Sequence, residues 1–148
     1  MIALGSDHGG FSLKKEIEKY FDENDIKYKD YGTFNEERTD YPIYAEKVAK
    51  AVQLKECDIG ILICKSGAGM TITANKFKGI RATIGFNKES IKAAKADDDI
   101  NVLVLSSDYI TVPQAVAIVR MWIATEFKGG RYQERLQMIE NIENKNKI

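Results

Sequence analysis

The sequence predicts an α/β fold: a Rossmann-like three-layer α/β/α sandwich built on a five-stranded parallel sheet. Two observations carry this. Apolar runs of strand length alternate about five times with segments of helical periodicity, and that alternation builds parallel strands joined by crossover helices. The runs at 59–63 (Ile-Gly-Ile-Leu-Ile) and 101–105 (Asn-Val-Leu-Val-Leu) show no polar alternation, as expected of strands covered on both faces. A length of 148 residues suits one domain, residues 1–148, with a sizeable core.

The elements follow in order. Residues 2–6 form a short buried strand, and Asp7-His8-Gly9-Gly10 a turn. Phe11, Leu13, Ile17 and Phe21 stand near helical spacing, which predicts a helix over 11–22. Residues 27–31 make a weaker strand closed by Gly32, and Pro42 introduces a helix over 43–53. The central strand spans 59–63. After a small-residue loop, 71–76 reads as a helix, 80–85 as a strand and 88–96 as a lysine-rich helix. Residues 101–105 form the fifth strand, and 112–126 the longest amphipathic helix, with Ile118, Val119, Met121, Trp122 and Ile123. A charged helix from 131 to about 144 carries Leu136, Ile139 and Ile142 on one stripe, which predicts packing on a core or a partner subunit.

In such folds ligands sit outside the carboxyl ends of the strands. The first strand ends at Asp7-His8, the third at Cys64 and the fifth at Ser106-Ser107-Asp108. These loops are expected to converge on one pocket, with the 96–100 loop joining them if it folds over. The most telling stretch is Cys64-Lys65-Ser66-Gly67-Ala68-Gly69-Met70, where a strand meets a glycine turn before a helix. Amides and helix dipole there favour an anion, and they are expected to lower the Cys64 pKa. Three familiar anion loops are absent. A dinucleotide fingerprint lacks its third glycine, since Ile72 stands there; a Walker loop lacks Gly-Lys-Ser/Thr; and a cysteine phosphatase loop lacks its arginine, since Met70 stands there. The alternative is an ordinary strand–turn–helix connection with a buried cysteine.

Composition narrows the function classes. Apolar residues make up 44% and charged residues 30%, a globular balance. A formal net charge of zero argues against a general nucleic-acid or anionic-membrane binder. No apolar run approaches the roughly 20 residues of a membrane span, and the start of the chain shows no basic leader or cleavage site. Cys57 and Cys64 match no metal or redox spacing, so both read as reduced thiols of a cytoplasmic protein, and no metal or cofactor is expected.

Several segments, taken in order, resemble the ribose-5-phosphate isomerase B family, which also contains galactose-6-phosphate and allose-6-phosphate isomerases. They are Ser6-Asp7-His8-Gly9-Gly10-Phe11, Glu37-Arg38-Thr39-Asp40-Tyr41-Pro42, Gly60-Ile61-Leu62-Ile63-Cys64, Gly67-Ala68-Gly69-Met70, Ala74-Asn75-Lys76, Gly79-Ile80-Arg81-Ala82, Asn101-Val102-Leu103 and Gly129-Gly130-Arg131. The resemblance runs nearly end to end. It implies a metal-independent aldose–ketose isomerisation of a phosphosugar in a homodimer or tetramer with shared active sites. It implies Cys64 as the base, Ser66 as a carrier of hydroxyl protons, and residues 66–70 (Ser66, Gly67, Ala68, Gly69, Met70) as the amides that hold an enediolate oxygen. It implies that Asp7 lies at the site and that His8, Arg131 and Arg135 hold phosphate, some from the other subunit.

This chain departs from the family in the pocket. Lys65 stands where the family usually has glycine, and Ser66 where it has threonine. Asp97 and Asp98 stand where a histidine–asparagine pair is usual, the histidine opening the sugar ring. Asp108 replaces a phosphate-binding arginine, and Tyr132 a histidine. His8 is the only histidine. Asp97 thus becomes the candidate ring-opening group, Asp98 and Lys65 become candidate substrate ligands, and a substrate other than ribose 5-phosphate is expected. Asp97-Asp98-Asp99 also reads as a solvated turn. Two functions stay open: an active sugar-phosphate isomerase, and a catalytically weak paralogue that binds a phosphosugar as a sensor or partner subunit.

Overall fold

Eleven elements alternate along the chain: β1 (Ile2–Ser6), α1 (Phe11–Glu23), β2 (Tyr28–Asp30), α2 (Tyr41–Gln53), β3 (Ile59–Cys64), α3 (Ala68–Ala74), β4 (Ala82–Ile84), α4 (Lys88–Asp98), β5 (Val102–Ser106), α5 (Val112–Ala124) and α6 (Arg131–Lys145). The computed structural model describes residues 1–146. The strands form one sheet in the order β2-β1-β3-β5-β4, and every neighbouring pair is parallel.

The two-residue period of a strand sends alternate side chains to opposite faces. Ala3, Leu62, Val102 and Val104 pack against Ala45, Val48, Ala49 and Val52 of α2 and Met70 and Ala74 of α3. Leu4, Ile61, Ile63, Leu103 and Leu105 pack against Leu13, Ile17 and Phe21 of α1, Ile91 of α4, and Ile118, Val119 and Trp122 of α5. Cys64 has the parity of Leu62, so it belongs to the α2/α3 face. Trp122 is wholly buried and donates its indole N–H to the Ile100 carbonyl at 3.0 Å, which ties the end of α5 to the entry of β5.

Element boundaries depart from the sequence reading where local turn chemistry decides them. The helix expected at 71–76 begins three residues earlier, because Gly67 adopts a left-handed φ of +84° and turns the chain directly into α3. It ends at Asn75, whose side chain both donates to and accepts from the Ala82 backbone, at 2.9 and 2.8 Å. The helix expected at 88–96 runs on to Asp98 and stops at Asp99, itself left-handed with φ 47°. Asp97 and Asp98 are therefore last-turn helical residues and not a turn. Capping boxes open α4 (Asn87 with Ser90) and α5 (Thr111 with Gln114). On α6 the expected stripe divides: Leu136 is buried, while Met138, Ile139 and Ile142 are more than half exposed. No helix among the described residues is long and apolar enough to cross a membrane.

Gly10, at the N-cap of α1, is a position of close approach. A Cβ there would be driven into the Ile63 main-chain carbonyl, which a strand in mid-sheet cannot move aside. Gly10→Ala is expected to cost about 1–3 kcal/mol, the usual range for overpacking, read as a lowered midpoint in urea denaturation. An unchanged midpoint would mean that α1 docks less closely than described.

Candidate active site

Parallel register brings three loops to one edge of the sheet. Ser6 lies opposite Ile63, and Cys64 opposite Ser106. Main-chain bonds then join the loops beyond the strands. The Asp7 N–H donates to the Ile63 carbonyl (3.3 Å), Ser107 to Cys64 (2.9 Å) and Asp108 to Lys65 (3.1 Å). The Ser107 hydroxyl adds bonds to the Gly9 and Cys64 carbonyls at 3.0 and 3.3 Å. Asp7, His8, Lys65, Ser66, Gly67 and Asp108 are thereby held together, as the sequence led us to expect.

Cys64 is 4% exposed and sits beneath the turn into α3. The Gly67 N–H points at its sulfur at 3.2 Å. The expected lowering of its pKa does not occur. Burial pushes the thiol up, and the buried Asp7 carboxylate pushes the same way; hydrogen bonds from the Gly67, Met70 and Ser66 amides oppose them without prevailing. The amides nonetheless aim at the sulfur, so a thiolate formed there is stabilised on the spot. Ser66 is exposed, and its hydroxyl accepts from the Ala68 N–H at 3.3 Å. The Tyr41 ring at the start of α2 lies against Gly69, leaving no room for a Cβ.

His8 is fixed by a residue that sequence reasoning did not single out. Its Nδ1 lies 3.1 Å from the Thr39 carbonyl oxygen and 3.2 Å from the Thr39 amide nitrogen, in the loop after β2. Thr39 in turn shares a 2.9 Å hydrogen bond with Tyr44. The only signal for this was the run Glu37 to Pro42 as a whole, because Thr39 acts on His8 through its main chain.

The other candidates lie elsewhere. Helix α4 runs back along the sheet, so Asp97 and Asp98 precede β5, while Cys64 adjoins its end. Five residues of β5 at about 3.3 Å each put the two edges on the order of 15 Å apart. The 96–100 loop does not fold over Cys64, which corrects that expectation; a crossover helix must return to the start of the next parallel strand. Arg131 and Arg135 share the Asp97 edge. The Lys128 N–H bonds the Ala96 carbonyl at 2.9 Å, and its ammonium stands 2.8 Å from Asp97 Oδ1, an ion pair not aligned as a directed hydrogen bond. That contact raises the Lys128 pKa. Lys128, Arg135 and Arg131 ring Tyr132 at 4.9, 5.4 and 5.9 Å from its centroid. Lys128 and Tyr132 were not singled out as ligands; their closeness to the Gly129-Gly130-Arg131 segment was the available hint. Asp99 is taken up by Arg81, at 3.2 Å. Among the described residues no group of three or more His, Cys, Asp or Glu is placed to hold a metal ion.

The described residues thus gather two polar clusters at opposite edges of the sheet: a thiol with amides and one histidine at the carboxyl edge, and cations with carboxylates at the amino edge. The chain is 40% identical to the Clostridium thermocellum ribose-5-phosphate isomerase B structure, with a TM-score of 0.97 over 99% of each chain. It is 35% identical to the Mycoplasma genitalium ribose-5-phosphate isomerase B structure with bound ribulose-5-phosphate, with a TM-score of 0.91 over 97% of this chain and 95% of that one. In sequence it is 44% identical to Escherichia coli ribose-5-phosphate isomerase B over 142 residues, 96% of this chain and 95% of the relative. The Ribose/Galactose Isomerase model matches residues 2–139. With the match spanning nearly every element, from β1 into α6, the chain belongs to the ribose/galactose isomerase family.

Proposed function

We propose that this protein interconverts an aldose and a ketose phosphate through an enediolate, with Cys64 as the base. The observation that carries the proposal is Cys64 itself, set under amides where three strand ends meet. In the forward direction the thiolate takes the proton from C2 of the aldose. The C2–H electrons form the C1–C2 double bond, and charge moves onto the carbonyl oxygen. The turn at residues 66–70 supplies amide donors to that oxygen; one such donor is typically worth about 3 kcal/mol. Ser66 passes the hydroxyl proton between O2 and O1. The thiol then returns its proton to C1, leaving the ketose and a regenerated thiolate.

One chain holds only part of this apparatus. Arg131 and Arg135 lie at the far edge from Cys64, so the phosphate cations come from a second copy, and Asp97 and Asp98 arrive with them as ligands for sugar hydroxyls. The exposed Met138, Ile139 and Ile142 of α6 give that second copy an apolar surface to cover. A homodimer or tetramer with shared sites follows. The Lys128 ammonium beside Asp97 supports a carboxylate that accepts hydrogen bonds from sugar hydroxyls. A substrate that reacts in open-chain form suits this site better than ribose 5-phosphate, which must first leave its ring. The sealed-in fold of Cys64 and its amides favours an active enzyme over a weak paralogue.

Cys64→Ala is expected to abolish both isomerisation and solvent-deuterium incorporation into product, a loss of at least about a thousandfold, or about 4 kcal/mol of barrier, with the melting transition retained. A loss of less than about tenfold would transfer the base to another group. In a screen of tetrose to hexose phosphates, ribose 5-phosphate is expected not to be the best substrate.

The thiol pKa predicts the pH profile. Because the pKa is raised, the thiol dominates at neutral pH, and each unit of pH below the pKa cuts the thiolate about tenfold. kcat/KM should therefore climb on the alkaline side. Asp7→Asn removes a like charge while keeping an oxygen for the Gly10 N–H, so it should move that climb to lower pH. A shift to higher pH, or a flat alkaline limb, would contradict a Cys64 base.

A further inference from the structure

We infer that Lys65 is a substrate-anion ligand, and that the absence of a side chain at Gly9 is what seats its stem. This rests on reading the Cys64 edge as a phosphosugar site. The three loops that close this edge, residues 7–10, 65–67 and 107–111, contain one permanent cation, Lys65. They also contain two carboxylates, Asp7 and Asp108. The Asp108 main chain bonds directly to the Lys65 carbonyl, so the residue that follows β5 brings negative charge to the same corner. A phosphorylated substrate entering here meets Asp7 and Asp108, and Lys65 is the one fixed positive charge on these loops that offsets them.

The lysine is held, not merely present. Its backbone has no positive φ, so a side chain is carried without strain between Cys64 and Ser66. Its stem lies across Gly9: a Cβ at Gly9 would stand 2.6 Å from Lys65 Cγ, 3.0 Å from Cε and 3.2 Å from Cδ. Packing methylenes on a glycine surface leaves the ammonium at the water-facing end of the stem. Among the described residues no carboxylate forms an ion pair with that ammonium, unlike Lys14, Lys15, Lys50 and Lys128. An unpaired cation one residue from the candidate base, its stem laid across the turn that carries His8, is a donor awaiting an anionic group on the substrate.

The test is binding of ribulose 5-phosphate, of inorganic phosphate and of unphosphorylated ribulose, measured by calorimetry on wild type, Lys65→Met, Lys65→Arg and Gly9→Ala, each checked for an unchanged melting transition. Lys65→Met keeps the stem and removes the charge. It is expected to weaken both phosphorylated probes about tenfold or more while sparing ribulose, and to flatten the salt dependence of binding. Lys65→Arg should restore most of the loss. Gly9→Ala should displace the stem and weaken the same probes, with Lys65→Met adding little on top of it. Equal phosphate affinity in wild type and Lys65→Met, with isomerisation intact, would overturn the role of Lys65 and leave the proposed reaction standing. Failure of the wild type to bind any phosphorylated probe would overturn both.

Discussion

The parallel pairing of β3 with β1 on one side and β5 on the other is the constraint on which the site depends. Placing Ser6 opposite Ile63 and Cys64 opposite Ser106 ends three strands at one level. The chain can then leave the sheet only through loops that touch, and the Asp7, Ser107 and Asp108 amides bond across them. A shift of one residue in β3 would turn Cys64 from the α2/α3 face to the opposite face and carry the Gly67 turn with it. The thiol's position is therefore set by the whole core, not by the residues next to it in sequence.

That same topology separates the remaining polar residues. The helices that follow β4 and β5 return to the opposite edge, so Asp97 and Asp98 at the end of α4, and Arg131 and Arg135 where α6 begins after α5, are delivered away from Cys64. The charge sorts accordingly. The carboxyl edge holds Asp7 and Asp108 with Lys65 and His8, while the amino edge gathers Lys128, Arg131 and Arg135 about Tyr132. In the proposed reaction the amino edge of one copy completes the carboxyl edge of another, and the exposed Met138, Ile139 and Ile142 of α6 are the surface through which the copies would meet.

Much of this was legible in the sequence. Strand and helix periodicity give the layers, because burial on both faces writes itself as unbroken apolar runs at 59–63 and 101–105. The convergence of Asp7, Cys64 and Ser107 follows from parallel strands alone. What escaped was decided by backbone conformation and by burial. Gly67 starts α3 early by turning left-handed, and Asp99 ends α4 late in the same way; neither is signalled by side-chain pattern. The Cys64 pKa moves opposite to the expectation from helix proximity, since sequence shows the nearby glycines but not the depth of the thiol or the buried Asp7. Thr39 meets the His8 ring with main-chain atoms alone, which leave no mark on the identity of residue 39.

The central claim, that Cys64 of one copy works with the arginines of another, has a direct measurement. Cys64→Ala and the double variant Arg131→Ala/Arg135→Ala would each be inactive; they are mixed, unfolded and refolded together, and assayed for sugar-phosphate isomerisation. In a randomly reassembled dimer half the molecules are hybrids, and each hybrid holds one intact site. Activity is therefore expected to return to about a quarter of wild type. A mixture that reassembles into hybrids and stays inactive would contradict a site divided between two copies.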